Sequence, residues 1–158
     1  MVTVSTSRYD RQAKEKPPID DESGDLAQQM IEGAKGVVVG RTLVPDDQKL
    51  LRRTVSQALR KADVDVLVLT GGTGVSTTDV TIETVRPLFE KEIEGFGEIF
   101  RSVSYNRIGV AAALSRATAG VAKGKVILCL PGSPDAVKTA LELFVGEIPH
   151  VLHLARGR

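Results

Sequence analysis

The chain has 158 residues, the length of a single domain, and its 21 Lys and Arg residues nearly balance its 20 Asp and Glu residues. A nucleic-acid-binding protein usually carries a basic excess, so this balance argues against a nucleic-acid partner. With no Trp, four Phe and two Tyr residues, the chain also lacks the aromatic side chains of a stacking surface for single strands. We therefore expect one globular domain spanning residues 1–158.

The sequence predicts neither a membrane span nor a secretion signal. No apolar run approaches the roughly 18 residues that cross a bilayer, and the first residues lack the apolar segment of a signal peptide. The single Cys129 lies among aliphatic residues and cannot form an internal disulfide, so we interpret it as a buried small hydrophobic residue. We expect a cytoplasmic protein with no membrane partner.

Alternating strand and helix patterns predict an α/β fold. Short β-branched runs at residues 2–6, 37–44, 64–70 and 126–130 predict strands, of which the last three are apolar enough to be buried on both faces. Strands that alternate with helices indicate right-handed crossovers in a sheet. The apolar stripes that predict the helices are Leu26, Ala27, Met30 and Ile31; Leu51, Val55, Leu59 and Ala62; and Val137, Ala140, Leu141, Phe144 and Ile148.

Two segments lack a clear period. The polar segment 7–24 predicts a long mobile loop that leaves the carboxyl edge of the sheet, and we expect it to act as a flap over a ligand. Residues 108–115 favour a helix, and residues 116–122 favour an additional edge strand. Before them, glycines interrupt an apolar helical spacing, which predicts a broken helix. Its apolar residues are Phe89, Ile93, Phe96 and Phe100, and the interruptions are Gly95 and Gly97.

Glycine-rich turns follow two of the buried strands and predict an anion site. Ligands of open α/β sheets bind outside the carboxyl ends of the strands. The Gly71-Gly72-Thr73-Gly74 turn can direct several N–H groups towards one point. In Pro131-Gly132-Ser133-Pro134, Ser133 can cap a helix whose amino end attracts anions. Each turn alone could be a simple connection, but at equivalent strand ends the two together favour a phosphate site.

Two aspartates, Asp46 and Asp79, stand at similar strand-to-helix junctions. Local sequence favours an N-cap role for both. The alternative puts both carboxylates beside the bound anion, which requires a divalent cation between the negative groups, as in Mg²⁺-dependent nucleotidyl transfer. Arg8 and Arg116 could add positive charge there, although such side chains are more often solvated.

Seven short blocks, in their order and spacing, resemble the MogA/MoaB family of molybdenum-cofactor biosynthesis proteins over nearly the whole chain. The blocks are Thr3-Val-Ser-Thr-Ser-Arg8, Asp21-Glu-Ser-Gly24, Val44-Pro-Asp-Asp47, Thr70-Gly-Gly-Thr-Gly74 with Asp79-Val-Thr81, Gly95-Phe-Gly-Glu98, Leu114-Ser-Arg116 and Leu130-Pro-Gly-Ser-Pro134. The third and fifth blocks are most similar to the MoaB branch. The family often has an arginine just before the aspartate of the glycine block, where this chain has hydroxyl residues.

The resemblance implies a three-layer α/β/α fold with a mostly parallel central sheet, and a homo-oligomer that is a trimer or a hexamer. It implies that molybdopterin is the substrate and that ATP with Mg²⁺ adenylylates its terminal phosphate. Asp46 and Asp79 match the family's functional pair and would be the catalytic and metal-holding residues. The residues implied in substrate binding are Gly71, Gly72, Thr73, Gly74, Ser76, Glu98, Ser115, Pro131, Gly132 and Ser133. A non-catalytic molybdopterin-binding or carrier protein of the same fold is the alternative.

Overall fold

The computed structural model describes residues 1–14 and 20–157, and within them one six-stranded sheet runs through the molecule. Its order is β2-β1-β3-β6-β5-β4; the first four of these are parallel, and β5 and β4 each run antiparallel to the preceding neighbour. The strands are β1 Val2–Val4, β2 Thr42–Val44, β3 Val66–Thr70, β4 Lys91–Glu92, β5 Thr118–Ala122 and β6 Lys125–Leu130.

Helices cover both faces of the sheet. The α-helices are α1 Thr6–Lys14, α2 Glu22–Gly33, α3 Gln48–Ala58, α4 Thr81–Val85, α5 Glu94–Ile108, α6 Pro134–Phe144 and α7 Ile148–Ala155, and 3₁₀ turns span Arg86–Leu88, Gly109–Leu114 and Val145–Glu147. One core lies under α3 and α4, and the other lies under α2, α5 and α6. The three-layer α/β/α fold is thereby confirmed. In the part of the chain described, none of the helices is both long and apolar enough to cross a bilayer.

The central strands β3 and β6 contribute side chains to both cores. Leu67 and Leu69 pack into the core under α3 and α4, whereas Val68 between them packs into the opposite core. Because successive side chains of a strand point to opposite faces, a strand covered on both sides must be apolar throughout. The continuous apolar runs at residues 64–70 and 126–130 meet this requirement, and the buried strands predicted there are confirmed.

The predicted strand at residues 37–44 is wrong over its first part. Only Thr42–Val44 pairs with β1, and Val37 and Val39 are 81% and 56% exposed. The strand lies at the edge of the sheet, where only one neighbour is present to hold the backbone. A run of valines predicts extended backbone, but the position in the sheet depends on pairing with distant residues.

The region 89–122 also differs from its prediction. Helix α5 runs unbroken through both glycines, and a Cβ at Gly97 would lie 2.7 Å from the carbonyl oxygen of Ala117. Gly97 is therefore a point of close packing rather than a helix break. Residues 109–114 form a 3₁₀ turn, and β5 lies between β6 and β4 instead of at the edge of the sheet.

The segment 7–24 contains more helix than predicted. Residues 6–14 form α1, and Glu22 begins α2, while residues 15–19 lie outside the described residues. Helix α1 buries none of its side chains, so the sequence shows no apolar stripe for it. The mobility of this segment stays a prediction.

Candidate functional site

The turn Gly71–Gly74, called the glycine turn below, leaves β3 at the carboxyl edge of the sheet. The N–H of Gly71 donates to the carbonyl of Leu130 at 3.0 Å, which fastens the turn to the end of β6. Gly71 and Gly72 have φ values of +97° and +63°, and a Cβ at Gly72 would lie 2.5 Å from the Thr81 hydroxyl. Only glycine adopts these conformations without strain, so the residue type follows from the shape of the turn.

All four carbonyl groups of the glycine turn accept hydrogen bonds, and within the described part of the chain the donors are Thr81 and Arg116. The Thr81 hydroxyl donates to Gly71 at 2.7 Å, and the Thr81 N–H donates to Gly72 at 2.9 Å. The Arg116 N–H donates to Thr73 at 3.2 Å, and Nε of Arg116 donates to Gly74 at 2.7 Å. The turn is therefore held from one side by α4 and by the segment before β5.

The N–H groups of residues 72–75 donate to no acceptor among residues 1–14 and 20–157. In a trans peptide the N–H points opposite to the carbonyl of the preceding residue. Since the carbonyls of the glycine turn face Thr81 and Arg116, these N–H groups face away from both donors. A row of unpaired backbone N–H groups in a turn is an anion-binding feature.

Asp46 and Asp79 border the two ends of the glycine turn. Oδ2 of Asp46 accepts from the N–H and hydroxyl of Thr6, at 3.0 and 2.7 Å, and its Oδ1 lies 3.0 Å from the Cβ position of Gly72. Oδ2 of Asp79 accepts from the N–H of Ser76 at 2.8 Å and lies 2.9 Å from the Cβ position of Gly74. In both carboxylates, Oδ1 accepts no hydrogen bond from the described residues.

The turn Pro131–Ser133 lies against the glycine turn. A Cβ at Gly132 would lie 3.3 Å from the Cα of Gly71, and the carbonyl of Gly132 accepts from the Ser23 hydroxyl at 2.7 Å. Ser133 caps α6 by accepting from the N–H of Ala136 at 3.3 Å. The amino end of α6, with its positive dipole, thus lies beside Gly71, at the start of the glycine turn.

Glu98 and Ser115 line a separate cavity of about 470 Å³ next to the glycine turn. Arg116 lines the same cavity while its Nε binds the glycine turn, so it is the point where the two regions meet. The charged residues of the cavity are Arg86, Arg101, Arg116, Glu92, Glu94 and Glu98. The predicted site residues therefore lie in two adjoining regions rather than in one pocket.

Comparison with known proteins decides the family. A family model described as "Probable molybdopterin binding domain" matches residues 1–151. The chain belongs to this family. A relative from Methanocaldococcus jannaschii, "Probable molybdopterin adenylyltransferase", is 43% identical over 99% of this chain and 93% of its own length. "Molybdenum cofactor biosynthesis protein B" of Bacillus subtilis is 40% identical over 99% of this chain and 88% of its own length.

A solved structure agrees with this assignment. The crystal structure of the tungsten cofactor synthesizing protein MoaB from Pyrococcus furiosus is 41% identical. It covers 98% of this chain and 94% of that chain, with a TM-score of 0.84. The resemblance to the MogA/MoaB family is confirmed.

The N-cap interpretation of the two aspartates is wrong for this molybdopterin-binding domain. Asp47, not Asp46, caps α3 by accepting from the N–H of Leu50 at 2.7 Å. The N-cap residue of α4 is Val80, and it makes no side-chain cap hydrogen bond. Adjacent aspartates look alike in sequence, and Thr6, which is 40 residues from Asp46, decides which of them turns towards the glycine turn.

Asp46 and Asp79 each leave one carboxylate oxygen without a hydrogen-bond donor among the described residues, which makes them candidate metal ligands. Among the residues described, no three His, Cys, Asp or Glu side chains are arranged to enclose a metal ion. Mg²⁺ rarely needs such an enclosure, because it usually takes one or two protein carboxylates and completes its shell with phosphate oxygens and water. The free Oδ1 atoms of Asp46 and Asp79 fit that pattern.

Two contributors received no role in the sequence-based prediction. Thr81 is fully buried and supplies two of the four donors to the glycine turn, and Thr6 orients Asp46. Both lie in blocks that resemble the family, which is the signal that could have identified them. Arg8, by contrast, donates through Nε to the carbonyl of Asp20 at 2.9 Å.

Charge at the junction of the two regions is set by an ion pair. The hydrogen bond from Arg116 lowers the pKa of Glu83, which stays a carboxylate in mildly acidic solution. The same bond raises the pKa of Arg116, and the negative charge of Asp79 acts in the same direction. Both partners of this ion pair therefore stay charged beside the glycine turn.

Proposed function

We propose that this protein is a molybdopterin adenylyltransferase of molybdenum-cofactor biosynthesis, which transfers the adenylyl group of ATP to the terminal phosphate of molybdopterin. The observation that carries the proposal is the glycine turn, with its unpaired N–H groups flanked by Asp46 and Asp79. The names of its relatives support the same activity. Because ATP is a cytoplasmic co-substrate, the proposal goes with a cytoplasmic location.

The reaction needs little covalent chemistry from the protein. A terminal phosphate oxygen of molybdopterin forms a bond to the α-phosphorus of ATP, and the bond from that phosphorus to the β-phosphate bridging oxygen breaks, releasing pyrophosphate. The barrier comes mainly from bringing two anions into line, so positioning and charge neutralisation are the main needs. The N–H groups of residues 72–75 and the amino end of α6, with Pro131, Gly132 and Ser133, suit that role.

The two aspartates would hold Mg²⁺ through their free Oδ1 atoms, together with phosphate oxygens of the nucleotide. The ion would neutralise the phosphates and favour departure of pyrophosphate. Without a cation, a phosphate beside Asp46 and Asp79 would be repelled by both carboxylates. Thr6 and Ser76 keep the other oxygen of each carboxylate occupied, which favours one orientation of the pair.

The cavity beside Arg116 is the best candidate for the pterin of molybdopterin. Its volume of about 470 Å³ lies within the range of roughly 300–1,000 Å³ usual for small-molecule sites. A pterin edge presents N–H donors to carboxylates such as Glu98 and acceptors to hydroxyls such as Ser115. A ligand that reaches from this cavity past Arg116 to the glycine turn would carry its phosphate to the unpaired N–H groups, where it would meet the phosphates of Mg·ATP.

We infer that the protein works as a homo-oligomer, a trimer or a hexamer. Large apolar side chains are exposed along α5 and the 3₁₀ turn that follows it. They are Ile99, Tyr105, Ile108, Val110 and Leu114. Such a patch favours burial against another copy of the chain. Light scattering of the purified protein measures the assembly directly, and a monomer at all concentrations would contradict the inference.

The segment 7–24 is proposed as a flap over the ligand. Thr6, the first residue of α1, holds Asp46, so movement of this segment and the position of that carboxylate are linked. Amide exchange in α1 should slow when Mg·ATP and molybdopterin are added. Equal exchange with and without these ligands would contradict the flap.

The experiment that tests the function is pyrophosphate release from Mg·ATP in the presence of molybdopterin. An adenylyltransferase releases one pyrophosphate for each adenylylated molybdopterin. The alternative, a carrier of the same fold, would bind molybdopterin and raise the melting temperature without consuming ATP. If molybdopterin neither raised the melting temperature nor supported pyrophosphate release, both functions would be excluded.

A further inference from the structure

Arg116 joins two parts of the molecule that the proposed reaction uses together. Its N–H and its Nε donate to the carbonyls of Thr73 and Gly74, at 3.2 and 2.7 Å. Its terminal nitrogens donate to both carboxylate oxygens of Glu83. The side chain also forms part of the wall of the cavity beside the glycine turn. All its hydrogen bonds to the turn therefore go to backbone oxygens.

We propose that Arg116 is a positioning residue that aims the N–H groups of Gly74 and Val75 at the bound phosphate. Each of these N–H groups shares a peptide plane with a carbonyl that Arg116 holds, so fixing the carbonyl fixes the N–H in the opposite direction. This inference rests on the proposed function, because it concerns the same phosphate site. Arg116 acts on the ligand through the backbone.

Helix α4 supports Arg116 and the other end of the turn at once. Thr81, at the start of α4, donates hydrogen bonds to the carbonyls of Gly71 and Gly72. Glu83, two residues later in α4, accepts from the Arg116 guanidinium that binds the carbonyl of Gly74. Arginine suits this role because its nitrogens lie in one rigid plane, with Nε directed to one acceptor and the terminal nitrogens to another. Lysine has one ammonium group and cannot keep both contacts in that geometry.

Arg156 is a matched control at the opposite end of the sheet. Its Nε donates to the carbonyl of Gly124 at 3.1 Å, and a terminal nitrogen pairs with Asp65. The side chains of Arg116 and Arg156 are 33% and 36% exposed. Arg156→Lys therefore removes the same kinds of contact at a distance from the glycine turn.

The test compares Arg116→Lys with Arg156→Lys by nuclear magnetic resonance, using Mg·ATP alone as the probe. In the wild-type protein and in Arg156→Lys, the amide signals of residues 72–75 should shift on titration. In Arg116→Lys, the shift of Val75 should be lost because Nε no longer holds the Gly74 carbonyl, whereas the shift of Gly74 should remain because the backbone N–H of residue 116 still holds the Thr73 carbonyl. The value of kcat/KM for pyrophosphate release should fall by about 10- to 100-fold. Equal melting temperatures of the two variants would show that the loss is local.

The possible outcomes separate this inference from the proposed function. Unchanged amide shifts and turnover in Arg116→Lys would overturn the positioning role and leave the adenylyltransferase intact. If the amide shifts differed between the wild-type protein and Arg116→Lys but the wild-type protein released no pyrophosphate, the positioning role would be supported. The proposed adenylyltransferase activity would then be excluded. If wild-type amides of residues 72–75 did not respond to Mg·ATP, the inference would be wrong whatever the turnover.

Discussion

At each end of the sheet an arginine binds the carbonyl of a glycine in a turn, but the two turns differ in whether their backbone N–H groups are paired. At the amino end, the turn between β5 and β6 passes through Lys123 and Gly124, both at positive φ, and Arg156 binds that turn. The N–H of Lys123 donates to Glu90 at 3.0 Å. At the carboxyl end, Arg116 binds the glycine turn in the same way, but consecutive N–H groups there have no acceptor among the residues described.

This difference shows that an arginine on a glycine carbonyl is not in itself a sign of function. The tight turn at the amino end is one that two-residue hairpins commonly use, and its contacts close the hairpin. At the carboxyl end, the same type of contact occupies the backbone carbonyls of the glycine turn, and the backbone N–H groups of residues 72–75 are left to bind a ligand. The unpaired donors, rather than the glycine content or the ion pair, distinguish the candidate site.

The largest expected effect is on turnover, and it should distinguish Asp79 at the carboxyl end of the sheet from Asp65 at the amino end. Asp79→Asn should lower pyrophosphate release by about 100- to 1,000-fold, because the variant loses a carboxylate that would hold the Mg²⁺ needed to neutralise the phosphates in the transition state. An asparagine oxygen can still accept from Ser76, so the melting temperature should change little. Asp65→Asn, which weakens the pair with Arg156, should leave turnover unchanged. Undiminished turnover of Asp79→Asn would remove Asp79 from the mechanism.

The next effect compares two glycines at positive φ. Gly72→Ala should cost about 2–5 kcal/mol in the free energy of unfolding and also lower turnover, because alanine is strained at φ +63° and the new Cβ would lie 2.5 Å from the Thr81 hydroxyl. Gly124→Ala, at φ +69° and with its nearest contact at 3.3 Å, should cost less, about 1–2 kcal/mol, with normal turnover. Urea unfolding and pyrophosphate release measure the two quantities. Equal loss of turnover in both variants would mean that stability alone explains it.

A smaller effect is expected from the buried hydroxyls of α4. Thr81→Val removes the donor to the carbonyl of Gly71 and should cost about 1–3 kcal/mol, since that buried acceptor loses its partner. Thr84→Val removes a hydroxyl bond to Val80, but that carbonyl keeps the N–H of Thr84. Thr81→Val should also weaken binding of Mg·ATP, as measured by calorimetry, whereas Thr84→Val should not. Equal affinities would show that Thr81 has no part in shaping the site.

The smallest effect is the pH dependence of the pair between Glu83 and Arg116. The pKa of Glu83 is lowered in the folded protein from its ordinary value of 4.5. Its contribution to stability is therefore complete above pH 4.5 and is lost as the pH falls through the lowered pKa. Glu83→Gln should cost about 0.2–1 kcal/mol at neutral pH, because the pair is partly exposed, and nothing in strong acid. Unfolding curves at several pH values test this, and a difference independent of pH would exclude the pair as its cause.

Much of the fold could be predicted from local sequence. The apolar stripes of α3 and α6 and the continuous runs of β3 and β6 follow directly from which faces are buried. The sequence pattern predicts neither the surface helix α1 nor the exposed segment at residues 37–41, because neither has a buried face that would impose a period. Prediction from pattern succeeds where burial controls the choice of residue.

The site divides in the same way. The sequence by itself determined the glycine turn, since positive φ values require glycine, and it determined the amino end of α6, since Ser133 and Pro134 form a local cap. Only the tertiary structure decided that Asp46 rather than Asp47 faces the turn, and that Arg116, more than 40 residues along the chain, holds it. Backbone conformation depends on neighbouring residues, whereas the partners of a carbonyl or a carboxylate depend on which distant segments the sheet brings together.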